Sequence, residues 1–331
     1  MRARLGIIGG LILLASSCLA HYSTVRALGL LPVPPNQVTV SVHVISTDPV
    51  LLSDGSGLVT LGAISAAPGD LLIVTGDWDG SVLTVSGASG FIGRAEIPAA
   101  WVPAGDFLMG NTGLGDDLVY GLGDEKPQHT VTLSGYWIGK REVTRAEYRQ
   151  FVDAGGYQDP TWWSAEGWNW RVAYSRTLPT NWGSYAAWCD PPGSFTQTED
   201  HPVMGVFYYE AEAFCNWAGG RLPTEAQWEK GAKGAASPTI YPWGDTWDPA
   251  KCNGWQDSAF PGCQTAPVGS YAGAESPCGC RDMAGNVWEW CRDFYAYDYY
   301  SRTPPEGWAD PEGPSSGAYR VLRGGSWSSE R

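Results

Sequence analysis

The sequence predicts an α+β fold dominated by loops and short strands. Three observations carry that prediction. Only three stretches have the caps and apolar spacing of helices, and all are short. Between and after them run β-branched or aromatic segments broken by glycine, proline and aspartate, the punctuation of turns. The 331 residues also include 43 Gly, 24 Pro, 18 Trp and 16 Tyr. In such a composition large rings at turns supply the packing area that long helices would otherwise bring. No fixed-period repeat or heptad is visible.

In chain order, MRARLGIIGGLILLASSCLA comes first. Arg2 and Arg4 form a positive region, Leu5 to Leu14 a short apolar core, and small residues follow. That is the pattern of a signal peptide, residues 1–20, with cleavage after Ala20 and too few apolar residues for a comfortable membrane span. A lipoprotein anchored through Cys18 is the alternative. The expected location is therefore periplasmic or extracellular, with no membrane span after cleavage. Residues 21–35 end in the stiff linker LLPVPP. Residues 36–98 contain VTVSVHVI, GLVTLGAI, LLIVTGDW and DGSVLTVSG. Short strands between Gly, Asp and Pro turns predict a small β-module there, read as a spacer or stalk.

From Trp101 the composition shifts to Trp, Gly, Asp and Glu. Thr144-Arg145-Ala146-Glu147 reads as a capping box, with Tyr148, Phe151 and Val152 behind it and Gly155-Gly156 as the stop. Tyr208–Gly220 reads as a second short helix ending on two glycines. Thr224-Glu225-Ala226-Gln227 is another capping box, with Trp228 on the apolar face and exits at Gly231 and Gly234. From Tyr241 onward turns and short strands are expected.

The formal charge of −14 argues against nucleic acid, which needs a basic face, and suits secretion or cation binding. HExxH and P-loop patterns are absent. The four histidines, His21, His43, His129 and His201, are scattered, which argues against a His-rich iron or zinc site; His129 and His201 read as structural. Seven cysteines follow the leader: Cys189, Cys215, Cys252, Cys263, Cys278, Cys280 and Cys291. In an exported chain they suggest disulfides, and the odd count leaves one over. Cys252 with Cys263 is the best local pair, then Cys291 with Cys280 or Cys278; Cys278 and Cys280 are too close in sequence to bond each other readily.

The strongest local signal is RDMAGNVWEW, Arg281 to Trp290. Asp282 and Glu289 bracket a turn containing Gly285 and Asn286. Such a turn can aim backbone carbonyls at a hard cation while the carboxylates supply charge. It can equally be a tight turn carrying two core tryptophans, Trp288 and Trp290. RLPTEAQWEKGAKG holds two acids, Glu225 and Glu229. Its capping box explains Thr224 and Gln227 without function, and a structural role is expected of the helix.

Taken in order, WVPAGDFLMG, HTVTLSGYWIGKREVTRAEYRQF, HPVMGVFYYEAEAFCNWAGGRLPTEAQWEKGAKG, YPWGD, TAPVGSY, DMAGNVWEW and RVLRGGSW resemble the formylglycine-generating enzyme, or sulfatase-modifying factor, family over about residues 99–331. The resemblance implies a loop-rich α+β fold with a C-type-lectin-like core, often carrying structural calcium. Members of known activity oxidise a sulfatase cysteine to formylglycine with copper and oxygen. Their first catalytic Cys lies three residues after the Ser of RGGS, the second five residues later. Here that Ser is Ser326 and the first position is Ser329; the second falls beyond Arg331. The resemblance thus implies a domain incomplete at its C-terminus, its closing strand missing along with the partner expected for Cys215. A serine hydroxyl is a hard donor and does not replace the thiolate that selects Cu(I). Trp288 and Ser326 match residues lining the family's active-site groove. For calcium, Asp282 and Glu289 match side-chain ligands, Gly285 and Val287 carbonyl ligands, and Asn253 and Gly254 part of a second site. The family also includes sulfoxide synthases of ergothioneine biosynthesis, periplasmic siderophore-maturation proteins and lectin-like binders.

These readings combine into one expectation: an exported, calcium-stabilised ligand-binding or scaffolding domain without cysteine oxidase activity, acting on an unspecified extracytoplasmic ligand or protein. The alternative is an oxidoreductase of this family acting on a sulfatase or peptidyl substrate. Structural Ca2+ is the expected cofactor, and copper is not expected.

Overall fold

The computed structural model describes residues 97–329, apart from 181, 183–196, 236–238, 255–263 and 303–307, and the backbone of five strands between 37 and 92. The leader with Ala20 and Cys18, the linker at 21–35, Cys189 and Cys263 lie outside the described residues, so the Cys252–Cys263 pairing does too. The chain divides into two compact units, Met1–Ala99 and Ala100–Arg331.

In the first unit β1 (Gln37–His43), β2 (Leu51–Leu52), β3 (Val59–Thr60), β4 (Asp70–Trp78) and β5 (Leu83–Ile92) follow the β-branched runs of the sequence. β1 pairs antiparallel with β4, Gln37 opposite Asp77. β4 pairs with β5, Asp70 opposite Ile92, and the register shifts between Thr75 and Gly76, where a glycine lets the extra residue bulge out. β2 and β3 form a separate short ladder. The start of β6 (Ile97–Val102) pairs with β5 through Gly90 and Ala99.

The second unit mixes short strands and helices: β7 (Gly105–Met109), α1 (Gly115–Val119), β8 (His129–Leu133), β9 (Tyr136–Gly139), α2 (Arg145–Asp153), α3 (Ala165–Ala173), α4 (Tyr208–Ala218), α5 (Glu225–Lys233), β10 (Glu289–Phe294) and β11 (Arg320–Arg323). It is the loop-rich α+β arrangement the sequence predicts. Among the described residues no helix is long and apolar enough to cross a membrane.

The capping signals act as expected, but α5 runs through Gly231, read as an exit, and stops at Gly234. Glu147 N donates to the Thr144 hydroxyl at 3.2 Å and Thr144 N to the Glu147 carboxylate at 2.8 Å; Thr224 and Gln227 repeat the exchange at 3.2 and 3.0 Å. α4 stops at Gly219, whose φ of 93° is left-handed and costs little without a Cβ. α3 is an addition to the sequence reading. Ser164 caps it by accepting from Gly167 N at 3.2 Å, but glycine at that position leaves no capping-box signature.

α5 is the centre of the unit. Its Trp228 and Ala232 pack with Cys280, Met283, Cys291 and Val321, while Ala226 packs with Phe107, Met109, Val131, Leu133 and Tyr300. Each large apolar side chain so buried contributes roughly 1.5–3 kcal/mol. Rings join α2 to α4: Tyr148 stacks on Phe214 at 5.0 Å, and Phe151 meets Trp217 at 5.7 Å.

The disulfide expectation at Cys291 is corrected. Cys278, Cys280 and Cys291 are thiols, as is Cys215. The turn between Cys280 and Cys291 folds both into the apolar cluster around Trp228, where they pack as small hydrophobic groups. Cys278 is instead directed at the Lys230 carbonyl. Burial pushes the Cys280 thiol, and that of Cys215, up to about 12.

Candidate functional site

α5, the 282–289 turn and the stretch after β11 enclose a cavity of about 540 Å³ with the segment 110–125. Five carboxylates line it: Asp116, Asp117, Asp124, Glu125 and Glu225. Three cations, Lys233, Arg320 and Arg323, also line it, beside rings such as Trp228, Trp288 and Tyr300. Trp288, expected at the groove, is half exposed (51%).

The floor is a buried ion cluster. Glu229, fully buried on α5, accepts from Gly110 N at 2.7 Å, from Lys233 Nζ at 3.1 Å and from Arg323 Nη2 at 2.7 Å. Burial alone would raise its pKa, but Lys233, Arg323 and the Gly110 amide outweigh burial and hold it below the ordinary value. Arg323 also faces Glu125 at 3.5 Å and Glu225 at 3.6 Å. Glu225 is pushed up to about 7 by burial, partly offset by Arg323. The sequence reading gave Glu229 a structural role without a visible partner; one partner, Lys233, sits four residues on, and the other arrives from β11.

Ser326 and Ser329 lie on the cavity wall. After Gly324 and Gly325, both left-handed with φ of 93° and 77°, the chain curls so that three hydroxyls meet. Ser326 Oγ is 3.0 Å from Ser328 Oγ and 3.1 Å from Ser329 Oγ, and Ser326 N donates to Ser329 Oγ at 3.0 Å. A cluster of hard, neutral oxygen donors does not suit Cu(I), which takes soft sulfur. The residues at this position do not fit that ion.

The 282–289 turn has a different donor set. Asp282, Gly285 and Asn286 have φ of 57°, 83° and 62°. Gly285 is required: a Cβ there would sit 2.4 Å from the Asn253 carbonyl oxygen. That carbonyl accepts from Asn286 N at 2.8 Å. The Asn286 side-chain oxygen accepts from Asn253 Nδ2 at 3.1 Å and Ala266 N at 2.8 Å. Asn253, read in sequence as part of a second site, therefore packs directly on the first turn; neighbouring Gly254 lines the cavity. Asp282 accepts from Gly269 N, and Glu289 Oε2 from Trp228 Nε1 at 3.1 Å.

Two buried oxygens in this cluster, Glu289 Oε1 and Asn253 Oδ1, have no hydrogen-bond partner, a costly state that a cation would relieve. Burial raises the Asp282 carboxyl and pushes Glu289 up to about 7, with Asp282 adding to the rise at Glu289. Glu142 is raised by burial first, then by Asp282 and Glu289. Three mutually repelling carboxylates, one with an unpartnered oxygen, and the unpartnered Asn253 amide oxygen beside them fit a hard divalent ion. Among the described residues no three His, Cys, Asp or Glu side chains form a metal group unaided, so the carbonyls of Gly285 and Val287 would have to contribute.

Sequence reasoning missed Glu142. It lies in KREVT, just before α2, and no local pattern links it to a turn 144 residues away. Two histidines have hydrogen-bond partners in the fold: His129 Nδ1 is 3.0 Å from the Pro127 carbonyl oxygen and His201 Nδ1 2.8 Å from Thr265 Oγ1.

Fold and cavity define a domain of the formylglycine-generating-enzyme type. The chain belongs to the family described as sulfatase-modifying factor enzyme 1-like domain, which matches residues 95–331. It is 39% identical over 233 residues to a hercynine oxygenase from Mycolicibacterium thermoresistibile, covering 65% of this chain and 50% of the relative. It is 34% identical over 256 residues to a formylglycine-generating enzyme from Thermomonospora curvata, covering 68% and 81%. The chain thus spans about half the length of that hercynine oxygenase. The solved structure of PvdO from Pseudomonas aeruginosa shares the fold at TM-score 0.50 and 24% identity, covering 72% of this chain and 85% of that one.

Proposed function

We propose that this domain is an exported, calcium-stabilised ligand-binding module of the family, and that it does not carry out the copper-dependent cysteine oxidation. One observation carries the reading. Where the resemblance places the first copper thiolate, the cavity wall holds the hydroxyl of Ser329, bonded with that of Ser328 to the Ser326 hydroxyl. Calcium would be held by Asp282 and Glu289 with the carbonyls of Gly285 and Val287, where it would supply charge and brace the turn. Export rests on the leader pattern of residues 1–20.

A second reading, an oxidoreductase acting on a sulfatase or peptidyl substrate, is favoured by the names of the relatives, an oxygenase and a formylglycine-generating enzyme. One experiment separates them. The copper-loaded protein is incubated with a cysteine-containing sulfatase peptide under oxygen and the peptide weighed by mass spectrometry. The binding reading expects the thiol unchanged. A copper-dependent conversion to aldehyde would establish the second reading. In parallel, saturating calcium should raise stability by about 2.7 kcal/mol at one hundred times its Kd. A melting temperature indifferent to calcium and chelator refutes the calcium part.

A further inference from the structure

We infer that Glu142 is a positioning residue of the cation site: its carboxylate clamps the 282–289 turn in the shape that presents ligand oxygens. The inference rests on the calcium reading above. Glu142 is buried, 5% exposed. Its Oε2 accepts from Asn286 Nδ2 at 2.7 Å and its Oε1 from Val287 N at 3.1 Å. Both oxygens are thus engaged by the turn. In this it differs from Glu289, one of whose oxygens is buried without a partner.

The clamp acts on orientation. A trans peptide is planar, with its N–H and C=O pointing opposite ways. Glu142 holds the Val287 N–H, so it fixes the Asn286–Val287 peptide, whose carbonyl accepts from Trp327 N at 2.9 Å on the other side. The Asn253 carbonyl holds the Asn286 N–H, which fixes the Gly285–Asn286 peptide and directs the Gly285 carbonyl away from Asn253. Glu142 also holds the Asn286 side chain, leaving its oxygen to Asn253 and Ala266. Asn286, a left-handed non-glycine residue, is held in that backbone by such external bonds. Partners that orient ligands from one bond further out typically carry 10–100-fold in metal affinity.

Glu142→Gln is the test, because the amide keeps one acceptor and turns the other into a donor facing a donor. Terbium luminescence, sensitised by the tryptophans of the turn and displaced by calcium, reads affinity directly. The variant should bind calcium at least about 10-fold more weakly, and its calcium-induced rise in Tm should shrink. Glu147→Gln is the control. It disturbs a neighbouring capping carboxylate that bonds Thr144 and Arg141 and should lower Tm equally with and without calcium. Wild-type affinity in Glu142→Gln, with a Tm loss equal in calcium and chelator, overturns the inference while leaving the calcium reading intact. A wild-type chain without any terbium or calcium response overturns both. Should Glu142→Gln fail to fold, Glu142→Asp, charged but too short for both donors, takes its place with the same expected weakening and the same overturning result.

Discussion

Glutamine in place of Glu229 isolates the buried ion cluster under the cavity. The carboxylate is fully buried and holds three donors, Gly110 N, Lys233 Nζ and Arg323 Nη2, at 2.7, 3.1 and 2.7 Å. Glutamine offers one oxygen, so either the Arg323 bond or the Gly110–Lys233 pair is lost. Removing one side of a buried pair costs about 3–5 kcal/mol, because the other charge stays buried. Arg323 keeps Glu125 and Glu225 at 3.5 and 3.6 Å, longer contacts than the one lost. That places the expected loss near the lower end, about 3 kcal/mol, or roughly 6–12 °C in Tm for a domain of this size. Urea unfolding followed by tryptophan fluorescence at pH 7 measures it. Arg323→Met and the double variant complete a cycle: the double should lose less than the sum of the singles by more than about 1 kcal/mol. The sign with pH also follows. Glu229 is held below its ordinary value, so its contribution is present above that value and disappears as pH falls through the lower folded one. A Glu229→Gln loss under about 0.5 kcal/mol, or an additive cycle, would refute the argument.

Gly285→Ala should destabilise by about 1–3 kcal/mol, since φ is 83° and the new Cβ would press on the Asn253 oxygen at 2.4 Å; an unchanged thermal melt would show that the turn yields freely. Glu225 and Asp293 are raised by burial to about 7 and about 6. The folded state therefore binds more protons than the unfolded one, and their contribution is full in acid and fades as pH rises through 6–7. Glu225→Gln should flatten the fall in stability between pH 5 and 8 measured in chelator, and an identical slope would acquit the residue.

What the sequence disclosed was local. Both capping boxes and the Gly219 stop involve residues within four positions, so their chemistry is written in neighbouring letters. α3 went unread because its cap, Ser164, has Gly167 where a capping box has Glu or Gln. The turn at 282–289 was legible as a shape, since Asp, Gly and Asn are the residues that tolerate left-handed backbone. The bonds that hold it were not. Glu142 lies 144 positions from Asn286, and Arg323 lies 94 from Glu229; nothing in one segment encodes the other. Sequence proximity misled in the opposite direction at Cys280 and Cys291. Eleven positions around a turn suggested a bond, but the core took both sulfurs as apolar groups beside Trp228.

The same long-range bonds join the carboxylate cluster to the cavity. Met283, Ala284, Gly285 and Trp288 line the cavity, while Asp282 and Asn286 are buried in the same turn. Gly285 N donates to the Gly324 carbonyl at 2.7 Å and Trp327 N to the Asn286 carbonyl at 2.9 Å. Those two bonds bracket Ser326, so the turn and the hydroxyl cluster share one backbone frame. A change that loosens the turn must either break one of these bonds or carry Ser326 and Ser329 with it. Losing either backbone bond without a replacement partner costs about 1–3 kcal/mol, so the serines are expected to move with the turn. Perturbation of the carboxylates should therefore register at the cavity wall before the domain unfolds.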